Sequence, residues 1–212
     1  MLLEHDGKSP EVHPEAWVAP TATLCGAVSL GPGTRIMHGA QVIADGGAIV
    51  IGANCIVMEN AVVRATARHS ARIGDHCLIG PNAHVVGARV EDEVFIATGA
   101  AVFHASRIGR GSVVRIHGVV HLKTVLPPDS TVPIAWVAVG DPAAVLPPDD
   151  HEGIWAIQER LKFFLEVYGL DRSDSSVMRG VTAGLSERLG AHRHDRTIEA
   201  PPIRPAGSSG PA

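Results

Sequence analysis

IGDHCLIGPNAHVVGARVEDEVFIATGAAVFHASRIGRGSVVRIHGVVHLKTVLPPDS, residues 73–130, keeps a beat of six. Aliphatic residues fall at Ile73, Ile79, Val85, Val90, Ile96, Val102, Ile108, Val114, Val120 and Leu126, six apart except for one step of five after Val85. Four residues after most of them comes a small one: Cys77, Ala83, Ala100, Ser106, Ser112, Gly118, Thr124, Ser130. A helix face would repeat at three, four and seven, and hairpins would show a recurring two-residue turn. Neither is present. A sustained six-residue beat instead puts one inward aliphatic on each short strand and a small residue at each tight corner, which is the pattern of a parallel β-helix.

The same beat runs through Val18, Leu24, Leu30, Ile36 and Val42, breaks over residues 43–50, resumes at Ile51, Val57 and Val63, and breaks again over residues 64–72. Eighteen inward positions predict an all-β solenoid. Residues 1–148 form this β-helix with its exit strand; 131–148 read as exit strand and linker. Residues 149–170 then read as a C-terminal α-helix packed along the solenoid. Asp149 or Asp150 is placed to cap its start, and Gly169 to end it. Ile154, Ile157, Leu161, Phe164, Leu165 and Tyr168 make its apolar stripe. Residues 171–190 suggest a short helix, and 191–212 a disordered tail too polar and Pro-rich to bury a core.

The 212 residues carry a formal net charge of -4, so no basic footprint invites nucleic acid. No apolar run reaches membrane-spanning length and the N-terminus lacks a signal-peptide pattern, so a cytoplasmic, membrane-free protein is expected. Three cysteines do not make a disulfide framework, and Cys55 and Cys77 read as small buried corner residues.

The beat resembles that of the hexapeptide-repeat superfamily, whose members coil as left-handed β-helices with three hexads per triangular coil; on that resemblance the eighteen inward positions imply about six coils. Four features narrow the resemblance to the gamma-class carbonic anhydrase family: Trp17-Val18-Ala19-Pro20, the break after the fifth beat, the five-residue step after Val85, and Val139-Gly140-Asp141-Pro142-Ala143 before the C-terminal helix. The resemblance covers about residues 10–170. It implies a homotrimer with zinc held by three histidines at subunit interfaces, an open site able to generate hydroxide. The matching positions here are Arg64, Pro81 and Val86. Proline and valine have no side-chain donor and arginine stays protonated. The family's acidic and amide helpers leave Asp45 and, in place of a glutamine-aspartate pair, Met58-Glu59.

No metal site and no cofactor are therefore expected. Among the twelve histidines, His117 and His121 are four apart but lie on different faces, His38 and His104 read as isolated, and His84 reads as a corner residue. His192 and His194 fall in the expected tail. Arg64 in the vacated place needs an acidic partner, Glu59 or Asp45, and these three residues form the candidate binding site for a small anion. The leading reading is a trimeric anion-binding or assembly protein without zinc or CO2 hydration activity. An acyltransferase using acetyl-CoA, with His38 or His84 as general base, is the alternative; a carbonic anhydrase with rearranged ligands comes third.

Overall fold

The computed structural model describes residues 1–173 and 176–199. Strands of two to five residues wind round a coil with three flat faces. One face stacks eight parallel strands, from Leu2–Glu4 to Val137–Val139, with an antiparallel strand added at each end. The other two faces stack seven strands each. The solenoid thus has about eight turns rather than six. The beat continues at Val12 before Val18, and at Val132 and Ala138 after Leu126; Leu2 opens the first face. The proline-rich composition of residues 131–148 reads as linker, yet proline suits a corner, as at Pro133, where its fixed φ is useful and no ladder N–H is needed.

Inward aliphatics such as Leu24, Ile36, Ile51, Ile79, Ile96 and Ile108 are almost completely buried, and Cys55 and Cys77 fill corners as expected. Three residues after many inward positions the backbone turns left-handed, at Gly33, Asn54, His76, Glu93, Gly111 and Asp129 along one corner. Glycine, and after it asparagine and aspartate, accept that conformation most readily, which suits Gly33, Asn54, Gly111 and Asp129; His76 and Glu93 adopt it against their preference.

The two breaks in the beat have a specific product. They lengthen two neighbouring strands of the eight-stranded face to five residues, Gln41–Asp45 and Val62–Thr66. These pair in register, Arg64 opposite Ile43 and Thr66 opposite Asp45. The extra residues carry both strands past the corner that closes every other coil, and so set Asp45 and Arg64 out at one edge of the face.

The C-terminal region departs from expectation. The segment expected to be a linker contributes two more coil strands, then folds back as Ala144–Leu146 against Val137–Val139. The single expected helix is two, α1 (His151–Gln158) and α2 (Phe163–Tyr168), separated by a 3-10 turn and by Lys162 in a left-handed conformation that a helix cannot propagate. Asp150, not Asp149, caps α1 by accepting from the Gly153 N–H, and Gly169 ends α2 with φ of 74°. The break gathers Phe163, Phe164 and Tyr168, with ring centroids about 6 Å apart. The apolar stripe packs less deeply than expected: neither helix contains a buried residue. The short helix expected in 171–190 is α3, Val177–Leu189, which buries Val181.

The expectation of a disordered tail from residue 191 does not hold for residues 191–199. Gly190–His194 is a 3-10 turn, and Arg196–Ile198 pairs antiparallel with Leu2–Glu4. The first strand's open edge and the Arg196–Glu4 ion pair supply what composition alone could not reveal. Residues 200–212 lie outside the described residues.

Candidate functional site around Arg64

Arg64 sits between buried Val63 and Ala65 on Val62–Thr66, so strand alternation turns its side chain outward. Its guanidinium donates to Asp45 Oδ2 at 2.8 Å. Asp45 is 2% exposed while Arg64 remains 32% exposed, so the carboxylate is buried beneath a cation that still reaches solvent. Arg188, from the last turn of α3, brings its Nε to 3.5 Å of the same oxygen. One buried carboxylate is thus held between two guanidinium groups, one from the solenoid and one from the C-terminal wrap.

Beside this cluster runs a groove of about 520 Å³ between the eight-stranded face and the helices. Arg64, Arg68 and Arg188 supply cationic groups, His84 and His104 imidazoles, and Phe103 with Tyr168 part of the apolar wall. Arg68 is fixed because its Nη1 donates to the Leu165 and Glu166 carbonyls at 3.2 and 3.3 Å, in the last turn of α2, where the helix dipole favours a cation; the Leu165 carbonyl also accepts from the Gly169 N–H. Glu166 in turn holds Lys123 at 2.5 Å.

Burial first, and the Arg64 charge second, hold His84 below the ordinary histidine value. Burial, then the neighbouring His69 and His84, push His104 down to about 4. Both imidazoles are neutral at pH 7, so the groove's charge comes from its arginines. Among the described residues, the buried Nε2 of His69 and Nδ1 of His104 find no hydrogen-bond partner, although His69 Nε2 lies 3.7 Å from a Glu166 oxygen, and the two rings meet edge-on at 5.5 Å.

Of the two carboxylates considered for Arg64, the structure pairs it with Asp45. Glu59 follows the strand Ile56–Val57 and lies in the turn above His38 and below Pro81, as the registers on that face require. No ion pair joins Glu59 to Arg64 among the described residues of this subunit. His38 keeps to that corner too, bonded to Thr21 at 2.9 Å and edge-on to Trp17. His84 is not a corner residue: it lies on the strand His84–Val86 and lines the groove with Arg64, whose walls shield the ring from part of the solvent although the residue still reaches it. Nor is His104 isolated, given its contact with His69. Arg64 and Val86 are direct neighbours in the sheet, whereas Pro81 stands at a corner of another face. Arg68, His69 and Arg188 were not anticipated. Their roles depend on where the helices dock, and no spacing in the sequence signals that.

The comparisons with known proteins agree with this architecture. Residues 70–104 match the family described as "Hexapeptide repeat of succinyl-transferase". Gamma carbonic anhydrase 1, mitochondrial, of Arabidopsis thaliana is 32% identical over 151 residues, 68% of this chain and 53% of that protein. Gamma carbonic anhydrase 2, mitochondrial, of the same plant is 27% identical over 181 residues, 82% of this chain and 63% of that protein. The chain is a gamma-carbonic-anhydrase-like hexapeptide-repeat protein. The left-handed coil fits this family. The matches span between about half and two thirds of these two relatives' length. Among solved structures, an acetyltransferase candidate from Bacillus cereus superposes with a TM-score of 0.59 at 18% identity, covering 87% of this chain and 95% of its own. At that identity it shows the fold alone. No helix among the described residues is long and apolar enough to cross a membrane.

Proposed function

We propose that this gamma-carbonic-anhydrase-like protein is a trimeric binding or assembly protein for a small anion, in which the Arg64–Asp45 pair stands in place of the zinc centre. The observation that carries this reading is the pair itself: a 2.8 Å contact on a buried carboxylate, at a position where the family resemblance calls for a metal ligand. Neither Val86 beside Arg64 nor Pro81 offers a donor to a metal. A small carboxylate or bicarbonate fits the exposed side of Arg64, flanked by Arg68 and Arg188, because a guanidinium presents paired donors to a planar anion. Exposed Phe95, Ile116 and Ile134 support assembly into a homotrimer that covers them.

The test is calorimetric titration with acetate and bicarbonate, alongside stopped-flow CO2 hydration and sedimentation. Expected are saturable anion binding that Arg64→Ala removes, hydration at the buffer rate, and a trimer. Binding unchanged by Arg64→Ala, or hydration clearly above buffer, would overturn the reading.

One observation favours a second reading, acyl transfer from acetyl-CoA. His84 is neutral at neutral pH and lines the groove beside Arg64, so it is available as a general base. In that case coenzyme A would compete with acetate, and His84→Ala would abolish acetyl-CoA turnover without abolishing binding.

A further inference from the structure

Away from the groove, four metal-binding side chains from opposite ends of the chain converge. His5 follows the first strand, Cys25 ends the strand Thr23–Cys25 stacked on it, and His192 and Asp195 come from the C-terminal turn. His5 Nδ1 lies 2.6 Å from Asp195 Oδ1, His192 Nδ1 2.9 Å from Oδ2, and Cys25 Sγ 3.3 Å from that same oxygen. One ligand atom from each of the four can be chosen so that all lie within 4.8 Å of one another. The two imidazoles stack at 4.1 Å. His5 is 4% exposed and Cys25 1%, with Asp195 at 11% and His192 at 28%.

We infer that His5, Cys25, His192 and Asp195 form a closed structural site for a zinc-type divalent cation, which clasps the C-terminal segment onto the first coil.

Ligand bonds of about 2.0–2.3 Å at a tetrahedral zinc put neighbouring donors roughly 3.3–3.8 Å apart. The separations here bracket that range, so admitting a cation asks for side-chain adjustments on the order of 1 Å, with no backbone rearrangement. Donor chemistry selects the metal: Cys25 releases its proton to solvent as the metal binds, and a thiolate with two imidazoles and one carboxylate favours zinc or cobalt over calcium or magnesium. All four positions come from protein, which leaves none open for water and makes the site structural rather than catalytic. It is also separate from the family's zinc positions, which here are Arg64, Pro81 and Val86. Without a cation, one carboxylate must serve three donors and Oδ2 is shared between two of them. The ligands span residues 5 to 195, so a bound metal would hold both ends of the chain together and keep Arg196–Ile198 on the edge of the first strand.

The experiment uses the full chain, stripped with a chelator and titrated with cobalt and then zinc. Expected are one equivalent of cobalt bound, a sulfur-to-cobalt charge-transfer band, displacement by zinc, and a raised thermal midpoint with zinc. Cys25→Ser should remove the band and weaken binding by more than about tenfold, the loss that follows even when only an outer partner of a ligand is removed. His192→Ala should weaken binding to a similar degree while circular dichroism stays unchanged. It decides the matter if the serine variant does not fold, because His192 lies on a surface turn. His84→Ala should bind cobalt as the parent does. No binding up to millimolar metal would mean a purely hydrogen-bonded clasp and overturn the inference. So would binding without the charge-transfer band, or unchanged affinity in His192→Ala.

Discussion

The solenoid and the C-terminal wrap are held together by different forces. Inside the coil, aliphatic side chains meet their counterparts one turn away, and the buried core lies almost entirely there. In the wrap, α1 and α2 bury nothing and α3 buries Val181 alone, while Trp155, Leu165 and Met178 are about half exposed. What fastens the wrap is polar: Arg68 on the α2 carbonyls, Lys123 on Glu166, Arg188 on Asp45, and Asp195 on His5. Apolar burial tolerates changes of pH and salt, whereas ion pairs and imidazoles do not. The wrap should therefore respond to solution conditions that leave the coil untouched.

The largest effect should come from breaking the coil. A Cβ on Gly52 would lie 2.8 Å from the Gly74 backbone and 2.2 Å from Asp75 Oδ1, and the stacked coils leave the backbone nowhere to move. Gly52→Val should cost about 3 kcal/mol and abolish soluble expression or shift the urea midpoint sharply. A variant as stable as the parent would mean that the coils have room to separate.

A smaller loss is expected where coil and wrap meet. Arg64→Ala leaves Asp45 buried with Arg188 as its remaining cation. The cost should be about 2 kcal/mol, below the range for a fully orphaned buried charge. Removing Arg188 as well should cost more than the two single changes add up to, because they share one carboxylate. Additive losses in urea unfolding would break the picture of a common anchor.

Acid should act on the histidines under the wrap. His104 is held neutral down to about pH 4 in the folded protein, whereas its ordinary value is 6.5. The unfolded chain therefore takes up a proton that the folded one refuses. The stability it contributes is complete above about pH 6.5 and is lost as pH falls towards about 4, on the order of 3 kcal/mol. His104→Gln should flatten that slope in a pH series of unfolding midpoints. The smallest effect belongs to the Arg110–Glu93 pair, more than half exposed on the coil surface. Arg110→Ala should leave the unfolding midpoint unchanged.

Much of this could be read from the sequence, and the limits have physical causes. The six-residue beat determined the coil and the burial of Cys55 and Cys77, and the family resemblance supplied its three faces. Each of those features depends on neighbours one turn away, and the spacing repeats often enough to stand out. The beat is hidden at Val132 and Ala138 by the prolines of residues 131–148, and at Val12 because one position before Val18 is too short a run to show a period. Arg64 was identifiable as the residue in a vacated ligand position, and the sequence narrowed its partner to Asp45 or Glu59. Only the tertiary structure decided between them. Two lengthened strands in register carry Asp45 to Arg64, while Glu59 stays in its turn with His38. The break at Lys162, the docking of Arg188 and the meeting of His5 with Asp195 left no trace in the sequence. Each rests on one or two polar contacts between residues far apart in the chain, and a contact made once has no period to reveal it.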